Sequence, residues 1–234
     1  MEFRLVDPDL PTVSRWLLLN SRYGRQSTLR MLQYEHLEKQ SVEGKVLDFG
    51  GGNKSKYRDL LPNDIDYSSV NIDPNIEPTW LIEPGAKIPA KANSFDVCVC
   101  LNTLEHICDP LFVLGEIHRT LKPGGVVHIA VPWMFRIHGH PDDYNRLTPS
   151  WWRQAMEETG FSETSVTPLV WGRYSTAAGI TGYKGLVRLQ RTLTHMKDVL
   201  YASFAFRNAD GVYCGKRGQR ICNVALGHFI TARK

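Results

Sequence analysis

"KVLDFGGGNKSKY", residues 45–57, decides how this chain is read. A short apolar run ends at Asp48 and meets three consecutive glycines, Gly50, Gly51 and Gly52. Backbone without Cβ atoms tolerates close approach and left-handed turns. A glycine turn placed between a strand and a helix is a common nucleotide site. "KVLDF" reads as the strand and "SKYRDLL" as the start of the helix.

Three ligands compete for such a turn. A phosphate loop needs GxxxxGK[ST]; "GGGNKS" has the Lys-Ser but lacks the preceding glycine and the loop length. A dinucleotide fingerprint, GxGxxG counted from Gly50, puts its third glycine on Ser55, where a side chain obstructs helix–strand packing. S-adenosylmethionine has no phosphate. It asks for close backbone, an acid near its ammonium and helix N-terminal amides near its carboxylate. Asp48 supplies the acid and Gly50 to Gly52 the approach. Asp73, at the end of "SVNID" and 21 residues past Gly52, is placed to take both ribose hydroxyls.

Outward from this stretch, strands and helices alternate. "RQSTLRMLQYEHLEKQ" (25–40) spaces Leu29, Leu32, His36 and Leu37 as a helix. "YSSVNID" is a second strand, and the composition of "FDVCVCL" buries it on both faces. In "CDPLFVLGEIHRTLKPGG", Asp109 caps a helix, Pro110 opens it, and Leu111, Leu114, Ile117, His118 and Leu121 recur along one side. "VVHIAVP" is the next strand. "LTPSWWRQAMEETGF" repeats the grammar with Thr148, Pro149 and Gly160. Such alternation implies right-handed βαβ units and a parallel sheet covered on both faces.

The whole chain has 234 residues, 42 % hydrophobic and 22 % charged, enough for one α/β domain with additions. No run of about 18 apolar residues suggests a spanning helix. The start has no apolar stretch before a small-residue cleavage site, so no signal peptide is expected. Cys98, Cys100, Cys108, Cys214 and Cys222 form no CxxC pair and read as reduced cytosolic thiols, with neither a zinc site nor a disulfide framework. From Trp171 onward there are eleven Lys plus Arg against Asp198 and Asp210, a charge of +9, while the preceding part carries −5. Something acidic is expected to meet the C-terminal part.

The middle of the chain, "IPAKANSFDVCVCLNTLEHICDPLFVLGEIHRTLKPGGVVHIAVP", resembles class I S-adenosylmethionine-dependent methyltransferases. The carrying elements are Ile88-Pro89, Ser94-Phe95-Asp96, Leu104-Glu105-His106, Asp109-Pro110, Glu116, Arg119 and Leu121 to Gly125. The resemblance covers about residues 44–161 and implies a Rossmann-like, mostly parallel sheet of seven strands with helices on both faces. It implies a cofactor site at Asp48, Gly50, Gly51, Gly52 and Asp73, with Asn102 at the end of "FDVCVCL" and Glu83 as the acid facing the adenine. The chain departs from the family at Lys54, which stands where a third glycine is usual.

Methyl transfer demands positioning, because the donor is already activated, and an oxygen acceptor also needs its proton removed. Two loops lie at the carboxyl ends of the strands: "NTLEH" and "WMFRIHGHPDDYNR". The second concentrates His138, His140, Asp142, Asp143, Tyr144 and Arg146. "HGHPDDYNRLTP" is similar to an H.DPxDYWRFTP-like stretch of a bacterial methyltransferase subgroup found among polysaccharide and natural-product biosynthesis enzymes. His138 or His140 is the expected general base, oriented by Asp143. His106 joins them as a catalytic candidate, with Glu105 beside it. In related quinone O-methyltransferases an equivalent acid–histidine pair ligates a metal; none is assigned here.

The reading divides the chain into a helical N-terminal cap (1–44), the cofactor core (45–170), a basic helical insertion or lid (171–219) and a closing strand (220–234). Within the insertion Leu186, Leu189, Leu193, Met196 and Leu200 draw one apolar stripe, expected to pack on the sheet, form a dimer contact or face a membrane. Tyr23 and Arg25 are placed to close over the methionine end of the cofactor. The expected function is cytoplasmic, or membrane-peripheral, O-methylation of a sugar or a glycan or natural-product precursor, including phosphate-bearing or lipid-linked ones. N-methylation of an amino sugar or other small amine and a non-catalytic partner subunit are the alternatives. Nucleic acid is disfavoured, because the basic residues lack interleaved stacking aromatics.

Overall fold

The computed structural model describes residues 1–139, 141–183 and 185–234. Its strands are β1 (Glu2–Leu5), β2 (Lys45–Phe49), β3 (Asp66–Asn71), β4 (Trp80–Leu81), β5 (Phe95–Leu101), β6 (Leu121–Pro132), β7 (Glu163–Leu169) and β8 (Gly227–Arg233). They form one sheet in the order β1-β7-β8-β6-β5-β2-β3-β4. All pairings are parallel except those of β8, which runs antiparallel between β6 and β7. The helices are α1 (Val13–Tyr23), α2 (Thr28–Glu38), α3 (Pro110–Thr120), α4 (Pro149–Glu158), α5 (Arg173–Thr181), α6 (Val187–Ala205) and α7 (Gly215–Cys222).

Period-two alternation divides the strands between two cores. Leu47, Cys98, Cys100 and Ile129 face Leu114 and Ile117 of α3 and Trp152 and Met156 of α4. Val46, Val97, Val99 and Ala130 face the other way, toward Leu19 of α1, Leu29 and Leu32 of α2 and Val199 of α6. Local chemistry sets the helix starts as expected. The Asp109 side chain accepts from the Phe112 amide at 3.1 Å, and the Thr148 hydroxyl accepts from the Trp151 amide at 3.2 Å.

Four local expectations are corrected. Seven strands form the expected sheet, and an eighth, β1, is added at its edge by pairing with β7; four residues are too few to show a period. Segment 1–44 is therefore a strand followed by two helices. The glycine turn leads into a 3₁₀ turn at Arg58–Leu60 and not into a helix. Leu61 is extended (φ −81°, ψ 144°) ahead of Pro62, which disfavours helical backbone before it. Residues 215–222 of the insertion and closing segment are helical, so the last strand begins only at Gly227.

The apolar stripe of α6 faces outward. Leu186, Leu189, Leu193 and Leu200 are 74, 53, 52 and 61 % exposed. The helix docks through the opposite side, which pattern alone does not reveal because it is half polar. Asp198, fully buried, accepts the amides of Tyr174 and Ser175 at 2.9 and 2.8 Å and so caps α5. His195 Nε2 lies 3.0 Å from Thr28 Oγ1, while Val199 and Ala202 fill the contact. No helix among the described residues is long and apolar enough to cross a membrane.

Candidate functional site

The carboxyl ends of β2, β3, β5 and β6 define the crevice where ligands bind in sheets of this topology. Gly50, just past β2, has φ +87°, and a Cβ there would stand 2.1 Å from Thr103 Oγ1. A Cβ on Gly52 would stand 2.3 Å from the Ile76 carbonyl oxygen. The glycines thus let the loop after β5 and the turn after β3 close on the loop after β2. Asn71 fastens the junction: its Nδ2 donates to Gly50 O at 2.7 Å, and its Oδ1 accepts from the Asp73 amide at 3.0 Å.

Asp48 stands differently from the expectation that it meets an ammonium. It is fully buried beneath Gly51, its Oδ1 accepting from Tyr57 and its Oδ2 from Tyr67, both at 2.7 Å. Burial raises its pKa to about 6 against these hydroxyls. With each oxygen bonded to a tyrosine and the side chain fully buried, Asp48 holds the loop from below. The missing helix after the glycines likewise removes the helix-end amides expected for the cofactor's carboxylate.

Asp73 does present a usable carboxylate. Its Oδ1 takes the Asn75 amide and side chain at 2.9 and 2.8 Å, and its Oδ2 has no hydrogen-bond partner among the described residues. Asn102, left-handed at φ 51°, exchanges two hydrogen bonds with the buried Gln33 of α2, at 2.7 and 3.0 Å. Glu83 lies two residues past β4 and is exposed.

The two loops expected to carry chemistry meet. Glu105, in the 3₁₀ turn 104–106 after β5, accepts at its carbonyl from the amides of Tyr144 (2.7 Å) and Asn145 (3.2 Å). Asn145 Nδ2 donates to Ile107 O, and His106 Nδ1 donates to Asp142 O. His106 and His138 stack edge to face at 5.2 Å, and Phe135 packs on His138 at 5.4 Å. Among the described residues His138 Nδ1 faces two acceptors, Arg136 O at 3.2 Å and Asp143 Oδ2 at 3.4 Å. It therefore carries the proton of the neutral ring and leaves Nε2 as the basic nitrogen. Burial lowers the His138 pKa, so the ring is neutral at pH 7. Arg146 grips Asp143, with Nη2–Oδ2 at 2.7 Å, and holds its carboxyl down to about 2. His140 lies outside the described residues.

Glu105 is 1 % exposed, and among the described residues neither carboxylate oxygen has a hydrogen bond, His106 Nε2 standing 3.8 Å from Oε1. Burial pushes its pKa up to about 8. Glu105, His106 and His138 offer ligand atoms within 4.8 Å of one another, a donor set able to hold a metal ion. Tyr57, Tyr67, Asn71 and Gln33 also shape the site, and local sequence patterns do not point to most of them. Only Tyr57, inside the opening stretch, carried a signal: a large hydroxyl-bearing residue closing a glycine turn.

A model of the methyltransferase domain matches residues 21–171. An uncharacterized methyltransferase of Mycobacterium sp. (strain KMS) is 28 % identical over 105 residues, 41 % of this chain and 42 % of that protein. The ubiquinone biosynthesis O-methyltransferase of Pseudomonas aeruginosa (strain LESB58) is 50 % identical over 36 residues, 15 % of this chain and 16 % of that protein. The chain thus spans less than half the length of either curated relative. Among solved structures, the Haloferax volcanii putative methyltransferase complexed with the Trm112 activator superposes with a TM-score of 0.54 at 16 % identity, covering 94 % of each chain. At that identity the likeness speaks for the fold.

Proposed function

Since the chain belongs to the methyltransferase-domain family, we propose that it is an S-adenosylmethionine-dependent methyltransferase and that it methylates an oxygen of a small molecule, a sugar or a glycan or natural-product precursor. The observation that carries this reading is the junction of the two loops. It sets a neutral imidazole, oriented through Nδ1, at the carboxyl end of β6, where a hydroxyl acceptor would lose its proton. The short stretch shared with an O-methyltransferase supports oxygen over nitrogen.

S-adenosylmethionine, when bound, supplies a methyl carbon already activated by its sulfonium. The chain's residues fit it at the sugar end: Asp73 Oδ2 is unengaged at the tip of β3 and suits the ribose hydroxyls. Asn71, Asp48 and the two tyrosines keep the glycine loop in place beside it. His138 Nε2 takes the acceptor's proton, and Asp143, fixed by Arg146, steadies the resulting imidazolium.

Incubation with labelled cofactor and metabolite or cell-envelope extracts, with mass spectrometry of the labelled product, identifies the acceptor. With that acceptor, His138→Ala should lower kcat about 10²–10⁴-fold while cofactor affinity by calorimetry stays unchanged. An amine acceptor needs less base assistance, so a small loss of kcat would favour N-methylation and refute the oxygen assignment.

A second reading is favoured by the Glu105 carboxylate, which accepts no hydrogen bond among the described residues. Glu105, His106 and His138 would then hold a divalent ion that acidifies the acceptor hydroxyl in place of the base. Loss of turnover in chelator, restored by a divalent cation, distinguishes it.

A further inference from the structure

A cleft of about 570 Å³ opens between the corner joining α1 to α2, the turn after the glycine loop and the start of α6. Its charge is one-sided. Arg25, Lys56, Arg188 and Arg191 line it, while Arg22 there is already paired with Glu38. Among the described residues Asp59 is the only carboxylate in the lining. None of the four other cations forms an ion pair among the described residues.

Arg191 is fixed in place. Its Nη1 donates to Gln26 O at 2.8 Å, and its Nη2 donates to Gly24 O and to Asn20 Oδ1. These partners are neutral, so its positive charge is held half-buried without a counter-ion. Burial and the neighbouring Arg188 both work against that charge. The placement is also wrong for the helix. Arg188 and Arg191 lie in the first turns of α6, whose N-terminus has no side-chain cap, and cations at a helix N-terminus are disfavoured by its dipole. Like charges, an uncapped helix start and a concave surface all lack the same thing, an anion.

We propose that this cleft is the subsite for a phosphate or diphosphate group of the acceptor. The surplus of about three positive charges over Asp59 suits a multiply charged phosphoryl group better than a single carboxylate. Lys56 and Asp59, which follow the glycine loop in sequence, belong to the lining, so the cleft borders the segment that carries that loop. The proposal rests on the methyltransferase reading and narrows the acceptor class to phosphorylated or diphosphate-linked molecules.

The competing source of negative charge is the cofactor's own carboxylate, and the test separates the two. Calorimetry titrates sodium pyrophosphate into the protein saturated with S-adenosylhomocysteine, and separately titrates S-adenosylhomocysteine alone. Pyrophosphate is expected to bind the loaded protein. The double variant Lys56→Gln/Arg188→Gln should weaken pyrophosphate at least tenfold and leave S-adenosylhomocysteine within twofold. Lys216→Gln/Arg217→Gln, on the exposed side of α7, should change neither and controls for general charge. The proposal is overturned if pyrophosphate competes with S-adenosylhomocysteine, if the cleft variant loses the nucleoside, if the α7 variant weakens pyrophosphate equally, or if the loaded native protein does not bind pyrophosphate. Failure of S-adenosylhomocysteine to bind at all would instead strike the methyltransferase reading, and the pyrophosphate titration of the unloaded protein would still report on the cleft.

Discussion

Glu105→Gln is expected to stabilise the protein, and to do so more as pH rises. The side chain is 1 % exposed with neither oxygen hydrogen-bonded among the described residues, and burial carries its pKa from 4.5 to about 8. Between those two values the unfolded chain has released the proton and the folded chain still holds it. Stability then falls by about 1.4 kcal/mol for each pH unit as pH rises. The contribution is intact below pH 4.5 and lost as pH climbs to about 8. At pH 7 the burden is about 3 kcal/mol, and at pH 5 about 1 kcal/mol. Glutamine mimics the neutral acid in size and cannot ionise. Urea melts followed by tryptophan fluorescence, in chelator, at pH 5 and pH 7 should show both gains, the larger matching a rise in Tm of about 6–12 °C. A variant no more stable than the native protein at pH 7, or a gain independent of pH, would refute the account. With a divalent ion bound by Glu105, His106 and His138 the sign reverses, because the variant loses a ligand.

Other outcomes follow from the packing. Gly52→Ala places a methyl 2.3 Å from the Ile76 carbonyl, so the loop must move; cofactor affinity by calorimetry should fall about tenfold or more. Trp152→Ala, fully buried between α4 and the sheet, should cost about 3–5 kcal/mol in a urea melt. Leu193→Glu, on the outward stripe of α6, should change stability by no more than about 0.5 kcal/mol; a loss above about 2 kcal/mol would mean that the stripe is packed.

What the sequence discloses here is what neighbouring residues decide among themselves. Asp109-Pro110 and Thr148-Pro149 start helices through contacts three residues long, and both helices begin where those pairs put them. β5 is legible because its composition requires burial on both faces. The two site-edge loops are legible because their residue types are unusual together. Elements decided from a distance were not legible. β1 exists because β7 offers it an edge. Asp48 is turned inward by tyrosines 9 and 19 residues away, and Asn102 is claimed by Gln33 across 69 residues. The direction of the α6 stripe is left open by the pattern because His195 and Asp198, bonded to Thr28 and to the start of α5, and not the leucines, anchor the helix.

The position of β8 governs the order in which the sheet can be completed. It separates β6 from β7, so these two neighbours in sequence cannot pair with each other, and β7 has no seat until residues 227–233 have been synthesised and threaded between them. β1, whose partners are Glu163 to Val166, waits in turn for β7. Of the eight strands the first in sequence is thus the last to dock, and until β8 arrives β6 presents a bare, strongly apolar flank. Pairings of such long range close slowly, and a nascent chain in that condition is the form most exposed to misassociation.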